Sequence, residues 1–366
     1  MTATAPHDPS DTNPCGLEGI DFVELAGPDP DRLHRLLVAF GFSRTMTHRE
    51  RAVDLYQQGD ITFLLHRDDR GFAARFAAAH GPCIPAMGWR VADADAAAQL
   101  AAARGARLVE GDLARGSEVV PAVQGIGDSL LYLVDGWRSP QRWARLGFVA
   151  HPRPVPVADK GFRAIDHLTN NVPRGTRDRW ADFYRGVFGF TDVRYFDIRG
   201  ARTGLTSFAL RSPDGSFCIP INEGAGGGGE GAGEGAGALS QIDEYLVQYG
   251  GPGIQHLAFL TDDILGSLRA LDGTPIETLD IDDEYYRTVF DRVPGVREDR
   301  DELRRRNVLV DGDAQGYLLQ IFTRNLIGPI FIEIIQRRDH HSFGEGNFGA
   351  LFRSIERDQQ RRGVFT

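Results

Sequence analysis

A unit that occurs twice constrains this chain more than any other feature. GIDFVEL at 19–25 resembles AIDHLTN at 164–170, and the word FGF recurs at Phe40–Phe42 and Phe188–Phe190. The two offsets, 145 and 148 residues, are nearly constant. Each FGF closes an amphipathic stretch, DRLHRLLVAFGF or RWADFYRGVFGF, whose apolar residues recur at helical spacing. Further on, GWRVADADAAAQLAAARGARL (88–108) parallels QHLAFLTDDILGSLRALDGTP (255–275) at an offset of about 168. Each reads as strand, acidic turn, helix and Gly. The growth in offset is close to the length of a Gly-rich run found only in the second copy. Each half therefore reads as strand–helix–strands, twice over.

Paired βαββ modules of this kind predict an α+β fold of two curled mixed-sheet half-barrel domains, the construction of the vicinal oxygen chelate superfamily. Repeats at this scale speak to fold and leave the chemistry open. Residues 1–16 are polar and Pro-rich and read as a disordered tail. A first domain is expected over 17–150, a Pro-containing linker over 151–162 and a second domain over 163–366. Residues 224–237, GAGGGGEGAGEGAG, contain accidental GxGxxG matches. A dinucleotide fingerprint needs a strand before it and a helix fixed against its glycines, so this run reads as a surface loop.

Composition excludes several partners. The net charge is −10 with no basic cluster, which argues against nucleic acid and anionic membrane. No apolar run reaches the roughly 18 residues of a membrane span. Cys15, Cys83 and Cys218 form no CxxC, so neither a disulfide framework nor a zinc knuckle is indicated. A reducing cytoplasm is the expected compartment.

Three strand-like segments of the second half each carry one potential metal ligand: His167 in AIDHLT, His256 in GIQHLAF and Glu333 in IFIEIIQR. Alternation along a strand places each ligand on one face with apolar neighbours. A carboxylate buried there is costly without a partner. A metal ion is one such partner, and an ion pair with nearby Arg337 is another. Two His and one carboxylate match the facial triad of non-haem iron(II) oxygenases, although zinc accepts the same donors. The first copy shows Phe22 where His167 stands, and Gly88 is expected where His256 stands. The scaffold does not itself require histidine at those places.

The second half also carries the words IDHLTNNV, FYRGVFGF, PDGSFCIPINE, SQIDEYL, GIQHLAF, GYLLQIFT, FIEIIQR and FGEGNF in order. Through them it resembles the 4-hydroxyphenylpyruvate dioxygenase family over roughly residues 160–363; the first half resembles that family only weakly, as its non-catalytic module. The resemblance implies Fe(II) on His167, His256 and Glu333. It implies a substrate site of Ser207, Asn222, Gln241, Gln255, Gln320, Phe322, Phe331, Phe343, Asn347 and Phe348. Gln241, Gln320, Phe322 and Phe348 are implied to act closest to the chemistry. Phe343, Asn347 and Phe348 match a gate formed with the C-terminal helix. Asn347 is placed to cap that helix, whose apolar stripe is Phe348, Leu351, Phe352 and Ile355. Alternation puts Gln255 on the face opposite His256.

The activity implied is oxidative decarboxylation of 4-hydroxyphenylpyruvate by O₂, with ring hydroxylation and side-chain migration, giving homogentisate and CO₂. That is a step of tyrosine catabolism. Hydroxymandelate synthases use the same substrate and metal but tend to differ at the positions of Asn222 and Phe348. A non-catalytic small-molecule binder on the same scaffold and an extradiol ring-cleaving dioxygenase are the other readings. A homo-oligomer, dimer or tetramer, is expected.

Overall fold

The computed structural model describes residues 12–199, 204–225, 240–361 and 363. Most of the expected Gly-rich loop, 226–237, lies outside them.

The first half runs β1 (Leu17–Leu25), α1 (Pro30–Ala39), β2 (Ser43–His48), β3 (Val53–Gln58), β4 (Ile61–His66) and α2 (Phe72–His80). It continues through β5 (Ala86–Val91), α3 (Ala94–Ala103), β6 (Leu108–Val109), the hairpin β7 (Ala114–Arg115) and β8 (Glu118–Val119), β9 (Ala122–Gln124) and β10 (Leu130–Val134). Helix α4 (Arg142–Arg145) and strand β11 (Phe148–Val155) lead out of it. The second half runs β12 (Phe162–Val172), α5 (Arg177–Phe183), β13 (Thr191–Arg199), β14 (Gly204–Arg211), β15 (Cys218–Gly224), α6 (Gln241–Tyr249), β16 (Gly253–Thr261) and α7 (Ile264–Ala270). After α8 (Asp283–Arg292) and α9 (Arg300–Arg305) come β17 (Leu309–Gly312), β18 (Tyr317–Phe322), β19 (Phe331–Arg338) and the final helix α10 (Phe348–Arg361).

The strands form two mixed sheets, β11-β2-β3-β4-β1-β5-β10-β9-β6 and β13-β14-β15-β12-β16-β19-β18-β17. Apart from the edge strand β11, the order is the same in both. Each sheet joins two modules through one central antiparallel pair, β1 with β5 or β12 with β16. Each module is a strand, a helix and three strands, one more strand than the pattern read from the sequence.

Two boundaries differ from expectation. Of the expected tail, residues 1–11 lie outside the described residues, and residues 13–16 are packed. The Asn13 side chain clamps the backbone of Leu17 (2.8 and 2.9 Å), and the Cys15 thiol is buried beneath α3. The expected linker begins as strand, since β11 pairs with β2 through Val155. β11 lies at the sheet edge, where Pro152 and Pro154 need not donate to a second neighbour.

The repeated FGF word has a packing reason. Phe40 and Phe42 of the first copy meet Phe259 on β16 of the second, at 5.7 and 5.6 Å between centroids. Phe188 and Phe190 of the second copy meet Trp89 on β5 of the first, at 5.0 and 5.8 Å. Each helix end thus plugs its aromatic pair into the other half's sheet. The result is one continuous buried core with an approximate two-fold character. Among the described residues no helix is long and apolar enough to cross a membrane.

Candidate metal centre

Strands β12, β16 and β19 are neighbours at the middle of the second sheet. Their registers align His167, Ala258 and Glu333 across the three, with His256 two residues from Ala258 on the same face. The small side chain between the ligands leaves their tips free to converge. His167 Nε2 lies 3.1 Å from Glu333 Oε2, and His256 Nε2 lies 3.3 Å from His167 Nε2 and 3.4 Å from Glu333 Oε2. All three residues are buried or nearly so, and among the described residues no other cluster brings three such donors together.

Asp166 and His167 are adjacent, and in a regular strand they would point to opposite faces. The β12–β16 ladder pairs Ile165 with Phe259 and then His167 with Ala258, so Asp166 is a bulged extra residue. The bulge lets the Asp166 carboxylate accept from its own neighbour, His167 Nδ1, at 2.8 Å. Arg337 grips the same carboxylate with two nitrogens, at 2.7 and 2.8 Å. Arg337 therefore serves Asp166 rather than Glu333. It holds the Asp166 pKa well below the ordinary carboxylate range against the opposing effect of burial. A second bulge falls at Gln255, between the pairs Thr169–His256 and Asn170–Ile254. It brings the Gln255 Oε1 to 3.3 Å from His256 Nδ1. Gln255 consequently lines the cavity beside His256, not the opposite face expected from simple alternation.

With each Nδ1 facing an oxygen acceptor, each imidazole turns its Nε2 toward the Glu333 carboxylate. Three acceptors at this spacing draw positive charge. Burial opposes charging His167, but Glu333 and Asp166 outweigh it and push its pKa up to about 9. Burial likewise opposes the Glu333 anion, yet the two imidazoles hold its pKa below the usual range. Burial dominates for His256, whose pKa is lowered. A divalent cation that displaces the His167 proton finds two imidazole nitrogens and one carboxylate oxygen, a donor set that fits it. The imidazole planes are fixed by rings: Phe331 stacks on His256 at 4.7 Å, and Phe343 meets His167 edge-on at 5.5 Å.

The cluster opens into a cavity lined mainly by apolar and aromatic side chains, the kind of surface that small-molecule sites present. Of the residues expected around a substrate, Ser207, Asn222, Gln241, Gln255, Phe322, Phe331, Phe343 and Phe348 line it. Gln320 and Asn347 do not. Gln320 is buried behind Gly344, where even a Cβ would come within 2.5 Å of its amide nitrogen. The Asn347 Oδ1 sits 2.6 Å from the Tyr285 hydroxyl and also accepts from Arg292 at 3.4 Å. Asn347 thus ties the start of α10 to α8 instead of capping it or facing the cavity. Helix α10 covers the cavity with Phe348, Leu351, Phe352 and Ile355. Sequence reading missed Thr169, Phe196, Ile198, Leu205 and Pro220 in the wall. Only alternation along RYFDI and its neighbours offered a signal for them. It also missed Asp166, although the ID word occurs in both copies.

The first half shows the same scaffold without donors. Asp93 and Asp263 cap equivalent helices, which sets the β5-to-β16 offset at 170. Ala86, not Gly88, therefore stands where His256 does, and Gly88 matches Ala258. The parallel registers Ala258–Glu333 and Gly88–Tyr132 then place Tyr132 at the position of Glu333. Phe22, Tyr132 and Trp143 fill that space, with Phe22 6.2 and 6.4 Å from the other two rings. A Cβ on Gly88 would lie 2.3 Å from the Phe22 ring.

Comparison with known proteins adds the following. Residues 11–148 match the family model "Hydroxyphenylpyruvate dioxygenase, HPPD, N-terminal", and residues 164–301 match the "Glyoxalase/Bleomycin resistance protein/Dioxygenase superfamily". The chain is 53% identical to protein MelA of Shewanella colwelliana, over 97% of this chain and 99% of that one. It is 43% identical to 4-hydroxyphenylpyruvate dioxygenase of Legionella pneumophila strain Philadelphia 1, over 96% and 97%. A solved mutant of 4-hydroxymandelate synthase from Streptomyces coelicolor superposes with a TM-score of 0.76 at 27% identity, covering 94% of this chain and 99% of that one.

Proposed function

The chain belongs to the 4-hydroxyphenylpyruvate dioxygenase family, and on that premise we propose that it converts 4-hydroxyphenylpyruvate and O₂ to homogentisate and CO₂, using Fe(II) held by His167, His256 and Glu333. One observation carries this reading: the two imidazoles and the carboxylate converge, buried, at the wall of an aromatic cavity. Bound there, iron(II) supplies the electrons and the open coordination positions that O₂ activation and a chelating 2-oxoacid require.

The protein's own work is binding, orientation and exclusion of water. Phe322 and Phe331 stand edge to face at 6.1 Å and form one aromatic wall. Phe348 closes the opposite side from α10, packed at 5.2 Å on Phe196. The polar end is set by Ser207 and Asn222, which are paired across β14 and β15. Asn222 donates its amide nitrogen to Asn171 Oδ1 at 3.3 Å, which leaves its own Oδ1 as an acceptor for a phenol hydroxyl. Asn171 is four residues from His167 along β12, about 13 Å of strand. The three free cysteines are all buried and suit a reducing cytoplasm. Assembly as a dimer or tetramer belongs to the same reading and is measured by sedimentation.

A second reading has one specific support, the structural likeness to 4-hydroxymandelate synthase. Asn222 and Phe348 favour ring attack over benzylic attack. The deciding experiment loads the protein with Fe(II) anaerobically, adds 4-hydroxyphenylpyruvate and O₂, and identifies the product by mass and proton NMR. Homogentisate is expected. Hydroxymandelate transfers the assignment to the synthase, and absence of turnover favours a binding protein.

A further inference from the structure

The Arg337 guanidinium holds two things at once. Its Nε and Nη2 edge grips the bulged Asp166, which orients the imidazole of His167 through Nδ1. Its remaining nitrogen, Nη1, donates to the backbone carbonyls of His340 at 3.2 Å and Ser342 at 2.6 Å. Those carbonyls belong to the strap that joins β19 to α10. The strap ends in Phe343, whose ring forms part of the cavity wall, leans on His167 and lies 5.8 Å from the guanidinium carbon. Arg337 and Asp166 are largely shielded from solvent, with side chains 15% and 12% exposed. A planar five-donor fork can satisfy a carboxylate along one edge and carbonyls from another nitrogen, which a lysine ammonium cannot reproduce in this geometry.

We propose that Arg337 is a positioning residue that couples the docking of the 339–343 strap to the orientation of the metal ligand His167. When the strap is docked, its carbonyls fix the guanidinium, the guanidinium fixes Asp166, and Asp166 fixes the imidazole with Nε2 toward Glu333. When the strap lifts, the fork loses its carbonyl partners and its grip on Asp166 loosens. Closure of the cavity and readiness of the ligand set thereby become one event. The inference rests on the metal reading of His167, His256 and Glu333, and its test separates the two.

The test uses the full-length chain as wild type, Asp166→Asn and Arg337→Lys. Co(II) binding is followed by its visible d–d spectrum, and amide hydrogen exchange is followed over 339–347. Both variants are expected to bind Co(II) roughly 10- to 100-fold more weakly and to shift the d–d bands. Asp166→Asn, whose native carboxylate hydrogen-bonds His167 and Arg337 but no strap residue, is expected to speed strap exchange on the order of tenfold. Arg337→Lys covers the case in which Asp166→Asn fails to fold, and it should show both effects. Weaker Co(II) binding with unchanged strap exchange overturns the coupling. Variants indistinguishable from a Co(II)-binding wild type overturn the role of Arg337 alone. A wild type that binds no Co(II) overturns the metal reading and this proposal with it.

Discussion

Glu333→Gln isolates the charge of the proposed third ligand while conserving its volume. Glu333 is 3% exposed, and its Oε2 lies 3.1 and 3.4 Å from the two imidazole nitrogens. Glutamine offers the same site either an N–H₂, which cannot ligate, or a neutral oxygen. Either way the only anionic donor among the three is lost, and affinity for a divalent ion should fall by about two orders of magnitude or more. A ligand at 100 times its Kd stabilises the folded state by about 2.7 kcal/mol; for a variant binding a hundredfold more weakly, the same concentration gives about 0.4 kcal/mol. Unfolding entropy near 2.1 cal/mol/K per residue gives roughly 0.8 kcal/mol/K for a chain of 366 residues. The wild type should therefore gain about 3–4 °C in Tm with Fe(II), and the variant about 0.5 °C. Anaerobic scanning calorimetry with and without Fe(II) reads this directly. The shift matters, not the absolute Tm, because the substitution also removes the attraction between Glu333 and His167. Equal shifts in both proteins would refute Glu333 as a ligand.

Phe348→Ile should divert part of the product from ring to benzylic hydroxylation; an unchanged ratio by liquid chromatography and mass spectrometry counts against a steering role for that ring. Gly88→Ala sets a methyl against the Phe22 ring in a packed strand. It should cost about 1–3 kcal/mol in urea melts with Fe(II) affinity unchanged, and a loss of iron would contradict the separation of the two halves. His66 is buried, and burial alone would lower its pKa, but Glu24 and Asp68 outweigh that and raise it to about 9. A raised His pKa gives stability that is complete below the unfolded value near 6.5 and disappears as pH climbs to about 9, on the order of 3 kcal/mol. His66→Gln should flatten that decline in urea melts between pH 6.5 and 9, and an unaltered slope removes His66 as its source.

Legibility followed the length scale of the signal. The repeat is visible as recurring words at near-constant offsets, and the ligand strands as period-two alternation, which shows in any strand that buries one face. What alternation cannot reveal is a bulge, because one inserted residue leaves composition and period almost untouched while re-aiming its neighbour. Asp166 and Gln255 are such residues, so the partner of His167 was missed and Gln255 was assigned to the wrong face. The Gly88 assignment failed for a related reason. Shifting a strand by two preserves its pattern; the helix caps at Asp93 and Asp263 and the ladder pairs Phe22–Gly88 and His167–Ala258 fix the register. Gln320 and Asn347 do not line the cavity: Gly344 packs against the Gln320 amide, and the Asn347 amide is engaged by the Tyr285 hydroxyl. Neither is local in sequence.

The duplicated scaffold also acts as an internal control on the metal reading. β1 carries the same bulge as β12: its ladder pairs Ile20 with Trp89 and then Phe22 with Gly88, so Asp21 is extra just as Asp166 is. The Asp21 carboxylate is buried and that of Asp166 largely so, and both are gripped by arginine, Asp21 by Arg90 at 3.2 Å and Arg142 at 3.1 Å. The bulge and its ion pair are therefore properties of the fold, present with or without donors. What differs is the residue that follows. After Asp21 comes Phe22, with Ala86 and Tyr132 opposite, and the space is closed by rings. After Asp166 comes His167, with His256 and Glu333 opposite, and the space is a cavity. A core that can be filled with phenylalanine and tyrosine has no packing need for two imidazoles and a carboxylate, whose burial costs several kcal/mol unless they are paired. The second copy carries that cost at the three positions that share one point, and a cation at that point offsets it.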